Sequence, residues 1–398
     1  MNRFAGGLRL PRHAGDPALF FESSIAPARM QAGRPSPDMA VIAVLFVLVL
    51  AAGALYQFLG ARRAARLYRA PGTMLDIAGE RLHVVCSGDS GPPVVFESGI
   101  AASSLSWTRV VRDVATFTRA CAYDRAGLGW SDPARGPRTV ARMLGELQGV
   151  LANAATAGPY ILVGHSFGAF LVCAYASRRP AEIAGIVLLD PPSEWHEMTP
   201  DRVRLLRGGI HLSRIGGALA RFGIVRACLA LLTGGAPGVP RNLARIFGPT
   251  AARTLERLVG EVRKLPPDVH PTVQALWCQP KCFYAMANHL AVLQEAAAVV
   301  AGITSLSDIP LVVISSGGQS PDTIDRHRAL ARLSSQGRHM TAGKTGHWIQ
   351  FDDPELVVTT IRGIVDRARR PGLQLPSGLD NRTDRSGSGQ LWGRNQCT

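Results

Sequence analysis

Short apolar runs alternating with helical stretches predict an α/β protein built on a mostly parallel sheet. Eight runs have strand character: 74–77, 82–86, 94–97, 119–123, 160–163, 184–189, 311–315 and 338–342. The first two flank Ala78-Gly79-Glu80-Arg81, which suits an opening hairpin. The later ones are separated by stretches of helical pattern at 107–117, 139–155, 167–178, 321–334 and 354–368. That alternation implies crossover connections and hence parallel neighbours.

The run 160–163 ends in Gly164-His165-Ser166-Phe167-Gly168. A serine on a sharp strand-to-helix turn presents its hydroxyl above the sheet, and glycines on either side let the next helix pack close. Ser166 is therefore the candidate nucleophile. Its partners should follow in chain order, acid and then histidine. His347, in Thr345-Gly346-His347-Trp348 after the last strand, stands where that order requires a general base.

With Tyr123-Asp124-Arg125-Ala126-Gly127-Leu128-Gly129-Trp130-Ser131, the Gly164 to Gly168 turn and Gly346-His347-Trp348-Ile349-Gln350 in this order, the chain resembles the α/β-hydrolase superfamily over about 56–369. Within it, the resemblance is to bacterial serine hydrolases with the string Y-D-R-A-G-x-G-x-S. It implies the α/β-hydrolase fold: a mostly parallel eight-stranded sheet flanked by helices, with a helical cap inserted after strand 6. Organisation follows as a core at 74–193 and 306–370 and a cap at 194–305. An oxyanion hole formed by the backbone N–H groups of Phe167 and Ile100 is also implied, the latter in Glu97-Ser98-Gly99-Ile100, where Ser98 replaces the family's more common histidine.

The acid has several candidates. Asp190 closes the strand 184–189 on the catalytic rim and ranks first. Asp322 and Asp325 lie after the next strand, where the acid is more usual in the superfamily, and Glu194 is a further alternative. Ser320-Pro321-Asp322 also reads as a helix start with a capping serine, a proline in the first turn and a carboxylate at the positive end of the dipole. Asp124, Arg125 and Ser131 read as a charged strand end that pins a glycine-containing loop by hydrogen bonds to backbone.

The segment between Asp190 and Leu311 is rich in Leu, Ala and Arg and interrupted by glycine pairs, which predicts short amphipathic helices at 201–206, 219–232, 251–264 and 271–299. An apolar inner face there would favour a hydrophobic acyl or alkyl group.

Residues 39–55 are uncharged and almost wholly apolar, extended through Leu59 and closed by Arg62-Arg63. About 20 such residues span a bilayer, so 39–60 is expected to be a retained single-pass anchor, followed by a linker at 61–73. The side of the membrane stays open. Arg62, Arg63, Arg66 and Arg69 favour a cytosolic catalytic domain, whereas Cys86 and Cys121, on strands that are neighbours in the implied fold, could form a disulfide and would then mark an oxidising compartment. The tails 1–38 and 371–398 carry no periodicity and are expected to be disordered.

A net charge of +15 comes almost entirely from arginine spread along the chain, with lysine only at 264, 281 and 344. Without a basic stripe interleaved with aromatics, this excludes nucleic acid as the expected partner and favours an anionic lipid surface. The expectation is a membrane-anchored serine hydrolase acting on a small, hydrophobic carboxylic ester, with no metal or organic cofactor. Acyl transfer, peptidase activity with the same residues, and a non-catalytic membrane-bound module are the alternatives.

Overall fold

The computed structural model describes residues 37–154, 157–192, 199–233 and 262–370. The chain divides into two units, Met1–Val47 and Leu48–Thr398, and the second holds the sheet and its surrounding helices. The expected tails up to residue 36 and from 371, Glu194 and the expected helix 251–264 up to residue 261 lie outside the described residues; 37 and 38, expected in the disordered tail, instead open a helix.

All eight expected strands are present. In chain order they are β1 (Thr73–Ile77), β2 (Glu80–Ser87), β3 (Val94–Glu97), β4 (Ala120–Tyr123), β5 (Tyr160–His165), β6 (Ile183–Leu189), β7 (Leu311–Ser316) and β8 (Gly337–Ala342). They form one sheet in the order β1-β2-β4-β3-β5-β6-β7-β8. The β1–β2 and β2–β4 pairs are antiparallel and every later pair is parallel. This is the α/β-hydrolase arrangement. Cys86 and Cys121 oppose each other in the β2–β4 register and are joined by a disulfide.

Why these strands read as continuous apolar runs is plain from their position. β3, β4 and β7 are buried at every residue because helices cover both faces. On one face α2 (Thr108–Val114) and a long C-terminal helix (Pro354–Arg369) pack over Val94, Phe96, Val163 and Val187. On the other, α3 (Val140–Ala154) and α4 (Phe167–Arg178) cover Val95, Leu162 and Leu188.

A single helix, α1 (Pro37–Leu67, 31 residues), is the one described helix long and apolar enough to cross a membrane. It does not stop at Leu59: it runs through Arg62 and Arg63 into the expected linker, with Gln57 and Ala64 buried.

The elements between β6 and β7 differ from expectation. α5 spans Pro200–Arg221, far beyond 201–206: it runs through Gly208-Gly209 without a break, and the second glycine pair, Gly216-Gly217, is a contact point rather than a break. A Cβ at Gly216 would lie 2.6 Å from the Phe283 ring and one at Gly217 2.8 Å from that of Tyr284, so only glycine lets α5 pack this close. The expected helix 219–232 breaks instead at Gly223, whose φ of 71° suits a residue without a Cβ, and α6 resumes at Ile224–Thr233. The expected helix 271–299 is three: α7 (His270–Trp277), α8 (Pro280–Ala291) and α9 (Leu293–Ala301). Pro280 opens α8 because proline tolerates the first turn but not a helix interior. Beyond β7 follow α10 (Pro321–Ala331), a short α11 (Ile349–Asp352) and the C-terminal α12 (Pro354–Arg369). The expected helix 107–117 is a 3₁₀ turn, Ser104–Trp107, leading into α2.

Candidate active site

Ser166 stands between β5 and α4 with φ 51° and ψ −123°, a left-handed backbone that a non-glycine residue adopts only when its surroundings enforce it. Both flanking glycines are part of that enforcement. A Cβ at Gly168 would lie 2.3 Å from the Glu97 carbonyl oxygen, and one at Gly164 2.9 Å from the Ala169 backbone. The Ser166 N–H donates to the Leu189 carbonyl at 3.0 Å, which brings the end of β5 beside that of β6.

Asp190 follows Leu189 directly and is itself strained, with φ 41°. Its N–H donates to the Ile314 carbonyl at 2.8 Å, fixing the strand end to β7. The carboxylate is buried and accepts the Ser316 N–H at 3.0 Å and the Gln319 amide at 2.8 Å to each oxygen. His347 Nδ1 donates to its Oδ2 at 2.7 Å. Burial alone would push the Asp190 carboxyl up, but the hydrogen bonds from His347, Ser316 and Gln319 outweigh it and hold it below the ordinary aspartate value.

The structure thus separates the acid candidates. Asp190 pairs with His347. Asp322 is exposed in the first turn of α10, where Ser320 caps by accepting the Thr323 N–H at 3.3 Å, and Asp325 pairs with Arg328 at 2.8 Å.

His347 is held from below by a residue the sequence reading had not singled out. His165 Nε2 bonds the His347 backbone carbonyl at 2.9 Å, and because a carbonyl only accepts, Nε2 carries the proton. The His165 ring is buried, 4.7 Å from the Trp348 ring. Burial, reinforced by nearby His347, lowers its pKa to about 3, so it stays neutral. The loop is further fixed by the Gly346 N–H to Asp352 at 2.7 Å.

The segment Glu97 to Ile100 passes directly over α4, as the Gly168 approach requires. Arg125, read from sequence as a loop pin, does more than that. Its guanidinium is buried, pairs with Glu97, and donates to the Ser98 carbonyl at 2.6 Å and the Gly99 carbonyl at 2.5 Å. In a trans peptide the C=O and N–H point in opposite directions. Tethering the Gly99 carbonyl to Arg125 therefore turns the Ile100 N–H away from the guanidinium. Ser98 is buried, and its hydroxyl accepts the Trp107 indole N–H at 3.0 Å. The Phe167 N–H opens α4, where no intrahelical acceptor exists for it.

Asp124 and Ser131 take the loop-pinning role. The Asp124 carboxylate accepts the Ser104 N–H at 2.6 Å and the Trp130 N–H at 3.0 Å and pairs with His83 at 2.8 Å, while the Ser131 hydroxyl donates to the Asp124 carbonyl at 2.5 Å. Among the described residues no group of three His, Cys, Asp or Glu side chains is arranged to hold a metal ion.

Comparison with known proteins agrees with this architecture. Residues 92–208 match a family model described as the alpha/beta hydrolase fold. An uncharacterized protein of Bacillus subtilis, YqjL, is 38% identical over 104 residues, covering 26% of this chain and 41% of that protein. Lipase LipV of Mycobacterium tuberculosis is 36% identical over 111 residues, covering 28% of this chain and 41% of the lipase. In both cases the match spans less than half of the relative's length. Among solved structures, a thermophilic esterase from Thermogutta terrifontis superposes with a TM-score of 0.53 at 19% identity, covering 74% of this chain and 97% of the esterase. That likeness concerns the fold.

Proposed function

From a chain with the α/β-hydrolase fold, which supports a place in that superfamily and a hydrolase activity, we propose a membrane-anchored serine hydrolase that cleaves a carboxylic ester through an acyl-enzyme. The observation that carries this reading is the Asp190–His347 pair on the same sheet edge as the strained Ser166. With Nδ1–H committed to Asp190, the His347 Nε2 lone pair is free to take the Ser166 proton as Oγ attacks the ester carbonyl. The carbonyl oxygen becomes an alkoxide, stabilised by the N–H groups of Ile100 and Phe167 at about 3 kcal/mol each. His347 then returns the proton to the leaving alcohol. Water, deprotonated in the same way, releases the acid and restores Ser166.

A serine at the elbow favours an acyl-enzyme over the alkyl-enzyme that an aspartate there would form. The name of the Mycobacterium tuberculosis relative, a lipase, is consistent with an ester substrate. The expected test is turnover of a short-chain aryl ester by the purified protein, abolished by Ser166→Ala and reduced about 10⁴-fold by Asp190→Asn, as loss of an orienting carboxylate does in other triads. Full activity in Ser166→Ala would overturn the proposal.

The anchor is α1, whose apolar run of about 20 residues matches a bilayer core. A spanning helix does not depend on screened charges, so the full chain should stay with membranes in high salt or alkali. Release by salt alone would reduce α1 to a peripheral segment.

A further inference from the structure

Every large apolar side chain that is exposed among the described residues lies on α1, α5 or α6. On α1 they are expected of a membrane span. On α5 and α6 they are not accounted for in that way: Leu205, Leu212, Ile215, Ile224 and Leu231 are between 43% and 73% exposed, while α5 buries its opposite side, at Ser213, Gly217 and Ala220, against α8. From these residues, we propose that the outer flank of α5 and α6 is a membrane-docking surface that rests in the interface of an anionic phospholipid bilayer. The inference rests on the membrane-anchored reading of α1 and deepens it.

The first argument is periodicity. Leu205, Leu212 and Ile215 stand at i, i+7 and i+10, which at 3.6 residues per turn share one flank of α5. The face that packs on α8 is a different one, marked by Ser213, Gly217 and Ala220. Exposed Arg207 and Arg214 recur on the adjacent flank at the same seven-residue step. Residues 200–233 carry six arginines and one aspartate. An apolar flank bordered by arginine is the pattern of a helix lying in a headgroup region, with hydrocarbon on one side and phosphate on the other.

The second argument is continuity with α1. The junction of α5 and α6 is fastened to its later part, within the same unit of the chain. A Cβ at Gly53 would lie 2.4 Å from the Phe222 carbonyl oxygen, and one at Gly223 2.7 Å from the Tyr56 ring. Gln57 donates to the Cys278 carbonyl at 3.0 Å and accepts from Arg226 at 2.9 Å. These contacts begin at Gly53, six residues before Leu59 closes the apolar run, or about 9 Å along a helix. If 39–59 fills the hydrocarbon, the α5–α6 junction sits in its outermost layer, the depth of about 5–10 Å that interfacial helices occupy. Exposed leucines at that level meet acyl chains.

The consequence is functional. The ring of His289 on α8, the helix α5 packs on, lies 5.8 Å from the ring of Phe167, the residue after the candidate nucleophile, so a cap seated in the interface would take its ester from the bilayer.

The test uses the full chain reconstituted in vesicles of phosphatidylethanolamine and phosphatidylglycerol carrying a phospholipid with a photoactivatable diazirine in its acyl chain. After illumination, adducts are mapped by peptide mass spectrometry. Adducts on α1 and on 200–233 are expected. Adducts on α1 alone would overturn the docking surface while leaving the anchor, and none on α1 would overturn the anchor and the docking surface together. The double variant Leu212→Glu, Ile215→Glu changes only exposed positions. It should lose the adducts on 200–233 and turn over a bilayer-dissolved ester at least roughly tenfold more slowly, with a water-soluble aryl ester unaffected. Unchanged adducts, or equal loss on both esters, would overturn the assignment.

Discussion

His165 donates its Nε2–H to the backbone carbonyl of His347 at 2.9 Å, so the residue preceding the candidate nucleophile holds the backbone of the candidate base. The contact spans 182 residues of sequence and ties β5 to the loop after β8. The two groups proposed to meet within hydrogen-bond reach, Ser166 and His347, are thereby linked through a shared ring rather than held by two independent loops.

Replacing that ring tests the tie. His165→Phe keeps the aromatic contact with Trp348 and removes the donor. Misplacement of a base by about 1 Å costs on the order of 10²-fold in rate, so kcat should fall by that order with KM for a short ester little changed. Wild-type kcat in a folded His165→Phe would show that the loop needs no such support.

Arg125 tests the oxyanion loop in the same manner. Arg125→Lys keeps a charge beside Glu97 but cannot serve Ser98, Gly99 and Glu97 together. Loss of one well-placed oxyanion donor costs about 10²–10³ in kcat, and a partial displacement should cost roughly tenfold or more. Circular dichroism and urea unfolding of the variant separate this from misfolding. Arg125→Ala is the poorer variant, because an unpaired buried Glu97 destabilises by about 3–5 kcal/mol.

The elbow glycines should resist even the smallest change. Gly168→Ala places a Cβ 2.3 Å from the Glu97 carbonyl oxygen, a backbone atom that cannot swing aside. A loss of about 1–3 kcal/mol in unfolding free energy is expected, from overpacking a tight contact. Gly208→Ala, with nothing within 4 Å of the added methyl, should be neutral or slightly stabilising within its helix. Equal stability of the two variants would contradict the close-approach account.

These positions also mark how far the sequence could be read. Ser166, its glycines and His347 could be picked out as candidates because the chemistry imposes a local spacing at the ends of strands whose apolar runs are themselves legible. Asp190 could be ranked first from its place at the end of β6, yet the partner that distinguishes it from Asp322 is 157 residues away. Arg125 was readable as a loop pin but not as the clamp on the Ser98 and Gly99 carbonyls, and nothing local to His165 signals its bond to His347. The pair Gly216-Gly217 in α5 misled for a related reason. Their propensity argues for breaks, while Phe283 and Tyr284, which make the small residue favourable, belong to another helix.

Acid should weaken the folded state well before it reaches the range of ordinary carboxylates. Burial holds His165 at about 3 and His339 at about 4, while an unfolded chain protonates histidine near about 6.5. Between those values the unfolded state binds more protons, so stability declines as pH falls from about 6.5 toward 4. Asp190, held below its ordinary value, adds a loss in the same direction at still lower pH. His83 works oppositely: burial lowers it, the Asp124 contact and the Pro71 carbonyl more than offset this, and its contribution is lost only as pH rises. Urea midpoints between pH 7 and pH 4.5 should fall, and His339→Gln should make the fall shallower. A midpoint that is flat or rises toward pH 4.5 would contradict the buried-neutral reading.

The most direct measurement is covalent. A fluorophosphonate reports only a serine activated by its base and an oxyanion site, and the modified peptide identifies which serine. The full-length protein should be labelled at Ser166, and Ser166→Ala should not be labelled. Asp190→Asn should react far more slowly than Asp322→Asn, which should match wild type. A label on another serine, or a wild-type protein that takes no label while correctly folded, would contradict the assignment of Ser166, His347 and Asp190 as one catalytic unit.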